Sequence, residues 1–284
     1  MNDGLGKRSN SAIITVDCEK CTRCNICVAE CPTKVIQVDP DDNYPVSVGN
    51  AKESCIKCGH CIAVCPNRAL SLKWFGPEDC PLIREEFLLS QEQVEQFLRA
   101  RRSIRDFEEK PVERNKLKRL IELGNYAPSA KNMQSWHWLI VENKTEVRRL
   151  DYLVKDWMVK IIDEDPTIAE SVMYRSIIDR WERGLFRFLW NAPHIIVAHA
   201  DENQPFSSTD CALALCYIDL FANALGLGTC WVGYFFQAAN LYPPLRNALA
   251  IPKSHRVFGS IIVGYPKARY YRLPLRRRSN ITWT

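Results

Sequence analysis

Apolar and polar positions alternate along the chain in two different ways. Up to about residue 76 the apolar runs are short. Ile13-Ile14-Thr15-Val16, Val35-Ile36-Gln37-Val38 and Ala69-Leu70-Ser71-Leu72 each read as a strand of a few residues. The polar cluster from Asp39 to Asn43 is a turn. From Ser90 onward the apolar spacing becomes helical. Ser90 with Gln93 forms a capping box, and Val94, Phe97 and Leu98 follow on one face, so the spacing predicts a helix over 91–101. A second helix spans 113–124, with Leu117, Leu120 and Ile121 inward and Gly124 as its stop. Trp138 to Val141 reads as a strand, 147–190 as helical and rich in aromatic residues, and His194 to Ala200 as a strand. Ser207-Ser208 caps a long helix over 208–225 that is apolar on nearly every face and belongs at the centre of a domain. Gly226 and Gly228 end it, and Val257 to Val263 is the last strand. Strands and helices in this order, with a central buried helix, predict an α+β sandwich, preceded by a much smaller domain.

The organisation follows from the same pattern. Residues 1–10 are polar and read as a loose terminus of a small domain covering 1–76. Residues 77–89 contain two prolines and follow Gly76, and read as a linker to a larger domain over 90–284. The small domain consists of two similar halves and is too short to bury much core, so something other than apolar packing must stabilise it. At 46% hydrophobic and 25% charged residues the chain is ordinary for a globular protein. No apolar run approaches the roughly 18 residues of a membrane span. A net charge of +5 is too mild for a nucleic-acid protein, although Lys267, Arg269, Arg272, Arg276, Arg277 and Arg278 crowd the C-terminal region.

Cysteine changes the picture most. Of thirteen cysteines, eight fall in two runs. Cys21-Thr22-Arg23-Cys24-Asn25-Ile26-Cys27 leads to Cys31-Pro32, and Cys55-Ile56-Lys57-Cys58-Gly59-His60-Cys61 leads to Cys65-Pro66. Disulfides suit short secreted domains, and no signal peptide opens the sequence. Zinc sites pair two C-x2-C units and have no use for two four-cysteine runs ending in Cys-Pro. The spacing resembles that of two-cluster bacterial ferredoxins across about residues 12–76. There, three close cysteines wrap one iron–sulfur cubane and the fourth reaches across to the other. That resemblance implies two 4Fe-4S clusters, one on Cys21, Cys24, Cys27 and Cys65 and one on Cys55, Cys58, Cys61 and Cys31. Cys18 lies just ahead of the first run as a competing ligand; choosing Cys21 makes the two runs match. Cys211, Cys216 and Cys230 sit in apolar stretches and read as small core residues. Clusters and free thiols together imply a reducing cytoplasm.

Four further stretches, in order, resemble the nitroreductase family of flavoproteins across about residues 90–284. They are Arg101-Arg102-Ser103-Ile104-Arg105, then Pro128-Ser129-Ala130-Lys131-Asn132-Met133-Gln134, then Gly226 to Gly233, and finally Gly264-Tyr265-Pro266 with the arginines beyond it. The resemblance implies a nitroreductase-like sandwich holding FMN, in a homodimer with flavin at the interface. It implies that Arg101, Arg102, Ser103 and Arg105 bind the FMN phosphate, ribityl chain and pyrimidine edge. Pro128, Ser129, Asn132 and Gln134 then reach the flavin from the partner chain, Trp231, Val232 and Gly233 lie along its ring, and Arg276 closes on the phosphate. The chemistry suits these residues. Arginine binds phosphate bidentately, a cation at Arg105 near the pyrimidine favours reduced flavin, and the amides of Asn132 and Gln134 both donate and accept. Plainer readings stand beside these. Arg101 and Arg102 end a helix, where cations suit the dipole. A loop amide can satisfy its own backbone, Trp231 can be core, and Arg277 competes with Arg276. The five histidines lack metal-ligand spacing and read as structural.

The implied function is that of an FMN-dependent oxidoreductase. A low-potential donor such as ferredoxin or flavodoxin feeds two clusters and FMN, and a small electron-poor acceptor (nitroaromatic, quinone or enone) is reduced in a pocket lined by the aromatic stretch 174–190. NAD(P)H, usual for the family, is dispensable when clusters are built in. No catalytic residue is singled out, because the flavin carries the chemistry. The alternative is a non-enzymatic electron relay or redox sensor for a partner protein. Neither nucleic acid nor membrane enters either reading.

Overall fold

The computed structural model describes residues 7–8 and 13–284. The loose terminus expected over 1–10 lies outside them, apart from Lys7–Arg8. Two compact units result: one runs to Leu88 and includes Lys131–Met133, the other comprises Leu89–Ala130 and Gln134–Thr284.

In the first unit, β1 (Lys7–Arg8) and β2 (Ile14–Asp17) are followed by a single helical turn α1 (Ile26–Ala29), then by the hairpin of β3 (Ile36–Val38) and β4 (Pro45–Ser47). Short helices α2 (Ala51–Ser54) and α3 (His60–Ala63) precede β5 (Leu70–Leu72). The sheet order is β1-β2-β5, antiparallel, with β3-β4 as a separate pair. The internal repeat is visible in the backbone. Arg23 and Lys57, Asn25 and Gly59, and Lys34 and Arg68 form three equivalent pairs in the two halves, and all six take positive φ. Left-handed residues cost energy unless the surroundings demand them; here they curl each cysteine loop the same way twice. At Gly59 (φ +76°) a side chain would also press on the Phe75 ring, 3.3 Å away.

The second unit opens with α4 (Gln91–Ala100), closed at its start by the expected box: Gln93 N donates to Ser90 Oγ and Ser90 N to Gln93 Oε1. There follow α5 (Arg114–Gly124), β6 (His137–Val141), α6 (Lys144–Glu164), α7 (Pro166–Ser171), α8 (Tyr174–Glu182), β7 (His194–Asp201), α9 (Ser207–Ala224), β8 (Gly228–Trp231), α10 (Gly233–Leu241), α11 (Pro243–Leu249) and β9 (His255–Gly264). The four strands form one antiparallel sheet in the order β6-β7-β9-β8. Strand β7 is buried along almost its whole length, because both sheet faces are covered. Ile195 and Val197 point into a core shared with α6, α10 and α11, while Ile196, Ala198 and Ala200 point into a second core with α5 and α9. This is an α+β sandwich with helices on both faces. Among the described residues no helix is long and apolar enough to cross a membrane.

Three expectations need correction. The helical stretch 147–190 is broken into α6, α7 and α8 and gives way to irregular chain after Glu182. Helix α9 is not capped by a serine hydroxyl: Phe206 is its N-cap, and Ser207 Oγ donates instead to Asp201 O. Nor is α9 enclosed on every side, since Leu213, Cys216 and Tyr217 remain exposed. Strand β8, built from Gly228-Thr229-Cys230-Trp231, escaped the sequence pattern because its four residues lie between glycines and show no alternation.

Candidate metal centres and cofactor cleft

Within the first unit, the cysteines stand around two small cavities. Cys21, Cys24, Cys27 and Cys65 line one, with Pro45, Pro66 and Leu70. Cys31, Cys55, Cys58 and Cys61 line the other, with Ile13, Pro32 and Leu72. Each quartet thus takes its fourth thiol from the other half of the repeat. Cys18 lines neither; its Sγ lies 3.9 Å from Val16 O. Among the described residues no three Cys, His, Asp or Glu groups converge where one ion could sit. Four thiols around a space, with no point of convergence, are a donor set for a multi-atom cluster in which each thiolate takes a different iron. Burial pushes the Cys27 thiol up to about 11 and Cys61 up to about 12, with neighbouring thiols adding to both. Such groups ionise when a metal replaces their protons. Cys31 differs. Burial raises it, but the N–H groups of Val35, Thr33 and Ile36 and the Thr33 hydroxyl outweigh that and hold it below the usual thiol value. Ala69 N likewise donates to Cys65 Sγ at 3.3 Å. Donors of this kind stabilise negative charge on sulfur and tune a cluster's potential.

In the second unit, the segment after α4 leaves the helix at Arg101 (ψ 135°) and runs beside β8: Ser103 bridges Thr229, and Ile104 N donates to Thr229 O at 2.8 Å. Gly228 permits this approach, since a Cβ there would lie 2.5 Å from Ile104 Cγ1. A cavity of about 360 Å³ opens on one side, lined by Arg101, Arg102, Asp219, Asn223, Thr229, Lys267, Arg269 and Tyr270 among others. Four cations face a single carboxylate. Arg101 Nη1 lies 3.4 Å from Asp219 Oδ2. Arg102 Nη1 donates to Arg99 O and Arg101 O at 2.8 and 2.6 Å, while its Nε is buried without a hydrogen-bond partner among the described residues. A buried guanidinium N–H with no acceptor, in a cation-lined cavity, fits a bound anion such as a phosphate ester. Arg105 faces a second, smaller cavity of about 160 Å³ with Phe186, Trp190 and Arg187, and Lys267 borders both. Its guanidinium sits 5.8 Å from the Trp190 ring centre.

The other residues named from the sequence are placed as follows. Ser129 Oγ accepts from Gln134 N at 3.0 Å, and Pro128 precedes it in the same loop. Asn132, grouped with the first unit, donates its amide to Ile56 O and Lys57 O at 3.2 Å. None of these four lines the cation-rich cavity. Val232 is buried and its N–H donates to Ser260 O at 3.1 Å; Gly233 starts α10, where a Cβ would meet nothing within 4 Å. Trp231 is 40% exposed. Arg276 and Arg277 are exposed and do not line the cavity, whose lining includes Lys267 and Arg269. Of the aromatic stretch expected to line a pocket, Tyr174, Trp181 and Phe188 are core residues, and Phe186 and Trp190 alone border the Arg105 cavity.

Comparison with known proteins agrees with this division. The profile of the nitroreductase family matches residues 98–265, and that of a 4Fe-4S dicluster domain matches residues 20–70. A protein of Archaeoglobus fulgidus, provisionally named an NADH dehydrogenase/NAD(P)H nitroreductase, is 27% identical over 181 residues, covering 62% of this chain and 87% of its own. The 4-nitrobenzoate reductase of a Nocardioides species is 25% identical over 224 residues, covering 68% and 88%. Among solved structures, the nitroreductase of Bacteroides fragilis with bound FMN superposes with a TM-score of 0.58 at 24% identity, covering 68% of this chain and 98% of that one.

Proposed function

The chain belongs to the nitroreductase family, and from that premise we propose that it is an iron–sulfur flavoprotein oxidoreductase that carries electrons from a low-potential donor, by way of two 4Fe-4S clusters and FMN, to a small electron-poor acceptor. The carrying observation is the presence in one chain of two crossed thiol quartets and a cation-lined cavity with an unsatisfied buried Arg102 Nε. When bound, the clusters supply one-electron transfer and the flavin converts it to two-electron chemistry.

The chain's own residues bind and orient. Arg101 and Arg102 hold the flavin phosphate, supported by Lys267 and Arg269, with Arg276 closing from the C-terminal segment. Ser103 meets the ribityl chain, and Arg105 places a positive charge at the pyrimidine edge, which favours the reduced ring. Trp231, Val232 and Gly233 border the ring. Pro128, Ser129, Asn132 and Gln134 complete the site from a second copy of the chain, a reading that fits their absence from the lining of the Arg101 cavity. Phe186 and Trp190 offer stacking surface to a flat acceptor beside Arg105. The donor is a ferredoxin or flavodoxin, NAD(P)H being unnecessary. Thirteen cysteines and a cluster domain favour a reducing cytoplasm as its setting.

The test is anaerobic. Protein purified without oxygen should contain about eight iron, about eight sulfide and about one FMN per chain. Reduced ferredoxin should bleach the flavin faster than NADPH does. Fewer than two clusters, absence of flavin, or NADPH reduction with cluster-independent turnover would end the reading.

A further inference from the structure

Asp219 belongs to none of the motifs above, yet it lines the cation-rich cavity. It sits on α9 among Leu215, Ile218 and Ala222 and is 5% exposed. A carboxylate so deeply buried is tolerated only when both oxygens are paired. One oxygen, Oδ1, accepts from the Thr229 hydroxyl on β8; the other, Oδ2, faces Arg101 Nη1 at 3.4 Å. Thr229 is itself fixed, since its carbonyl takes the Ile104 N–H. Asp219 therefore joins a rigid strand to an arginine that has just left the end of α4.

By charge alone an acid is misplaced here. Among the described residues it is the only carboxylate lining a cavity with Arg101, Arg102, Lys267 and Arg269, and it would repel a dianion. Its position makes sense if orientation outweighs repulsion. The guanidinium has several N–H groups in a fixed plane. When one edge is held by Asp219, the other edge is aimed into the cavity without the rotamer freedom that a free arginine would lose on binding. We propose that Asp219 is the positioning residue of the phosphate site: it presets Arg101, anchored in turn by Thr229, so that the cleft selects a phosphorylated flavin over an unphosphorylated one. This rests on the FMN reading given above.

The experiment compares FMN with riboflavin, which lacks the phosphate, by fluorescence quenching of apoprotein. Asp219→Asn keeps the shape and an acceptor for Thr229 but removes the charge that holds Arg101. The expected result is FMN binding weakened about tenfold, the scale of one charge-assisted hydrogen bond, with riboflavin binding unchanged. Thr229→Val, which frees Asp219 from its anchor, should lower the FMN-to-riboflavin preference in the same direction by less, and it decides the question if the Asn variant does not fold. Equal weakening of both flavins would overturn the proposal and make Asp219 a staple between α9 and β8. Unchanged or tighter FMN binding would also overturn it, leaving repulsion as its whole effect. A wild-type chain that binds neither flavin would instead remove the cofactor reading, and this inference with it.

Discussion

Three imidazoles far apart in the sequence meet at one end of the second sheet. Antiparallel register sets His137 opposite His199 and His255 opposite Asp201. The three ring centres lie 4.7 to 5.6 Å apart, and His199 Nδ1 is 2.9 Å from His255 Nδ1. One of those two nitrogens must carry a proton and the other must not. Burial, with His255 and His137 adding repulsion, lowers His199 from 6.5 to about 4. The folded state thus refuses a proton that the unfolded chain accepts at about pH 6.5. Stability from this site is present above that pH, falls as pH drops toward 4, and is flat below. The loss should be about 2–3 kcal/mol. Urea titrations between pH 7.5 and 4 should show it in the wild type and a much smaller slope in His199→Asn; parallel curves would refute the assignment. Read singly, these histidines looked structural, because spacing along the chain carries no information about strand register. The same limit hid Asp219, one of two buried acids in an apolar helix. Arg101 and Arg102, named from the sequence, line the cavity because their neighbours in sequence are also their neighbours in space, whereas Lys267 and Arg269, which line it too, stood among six basic residues of which the sequence singled out Arg276.

At the scale of elements, the legible parts were those set by local rules. The Ser90 capping box, the helix ending at Gly124 and the apolar run of β7 follow from side chains within a few residues of one another. Strand β8 does not, because it exists through its pairing with β9 and the approach of Ile104. Its dependence on Gly228 is testable. Gly228→Ala forces a Cβ to 2.5 Å from Ile104 Cγ1 and 2.8 Å from Ile104 Cβ. Overpacking of this kind costs about 1–3 kcal/mol, so the melting temperature should fall by several degrees and FMN affinity with it, since Arg101 and Ser103 hang on the same contact. An unchanged melting temperature would mean that the 101–105 segment is free to move away. The cysteine repeat allows a sharper test of crossed ligation. Cys31 and Cys55 line one cavity, Cys24 the other. Cys31→Ser with Cys55→Ser should therefore remove only one cluster, about four iron per chain. Cys31→Ser with Cys24→Ser should remove both. Iron counts in the reverse order would show that each run holds its own cluster.

Over the whole molecule, the proposed homodimer should cover apolar surface that one chain leaves exposed. Helix α4 is amphipathic, yet Val94 and Leu98 on its apolar side are exposed, as are Leu213 and Tyr217 on α9 and Leu275, Ile281 and Trp283 near the C-terminus. A helix hydrophobic on most of its circumference is normally buried; half of α9 is buried by α5 and the sheet, and the other half faces outward. Apolar exposure on this scale marks an interface. In a two-fold dimer each residue is buried twice. Leu98→Glu then forfeits about 3–6 kcal/mol of burial, enough to raise the dimer dissociation constant at least a hundredfold. Light scattering at micromolar protein should find Leu98→Glu monomeric and wild type dimeric. FMN should dissociate in parallel if Pro128, Ser129 and Gln134 reach it from the partner, while the cluster iron should stay, because both thiol quartets are complete within one chain. A dimer that survives the substitution would move the interface elsewhere. A monomer that keeps its flavin would show that the Arg101 cleft needs no partner loop.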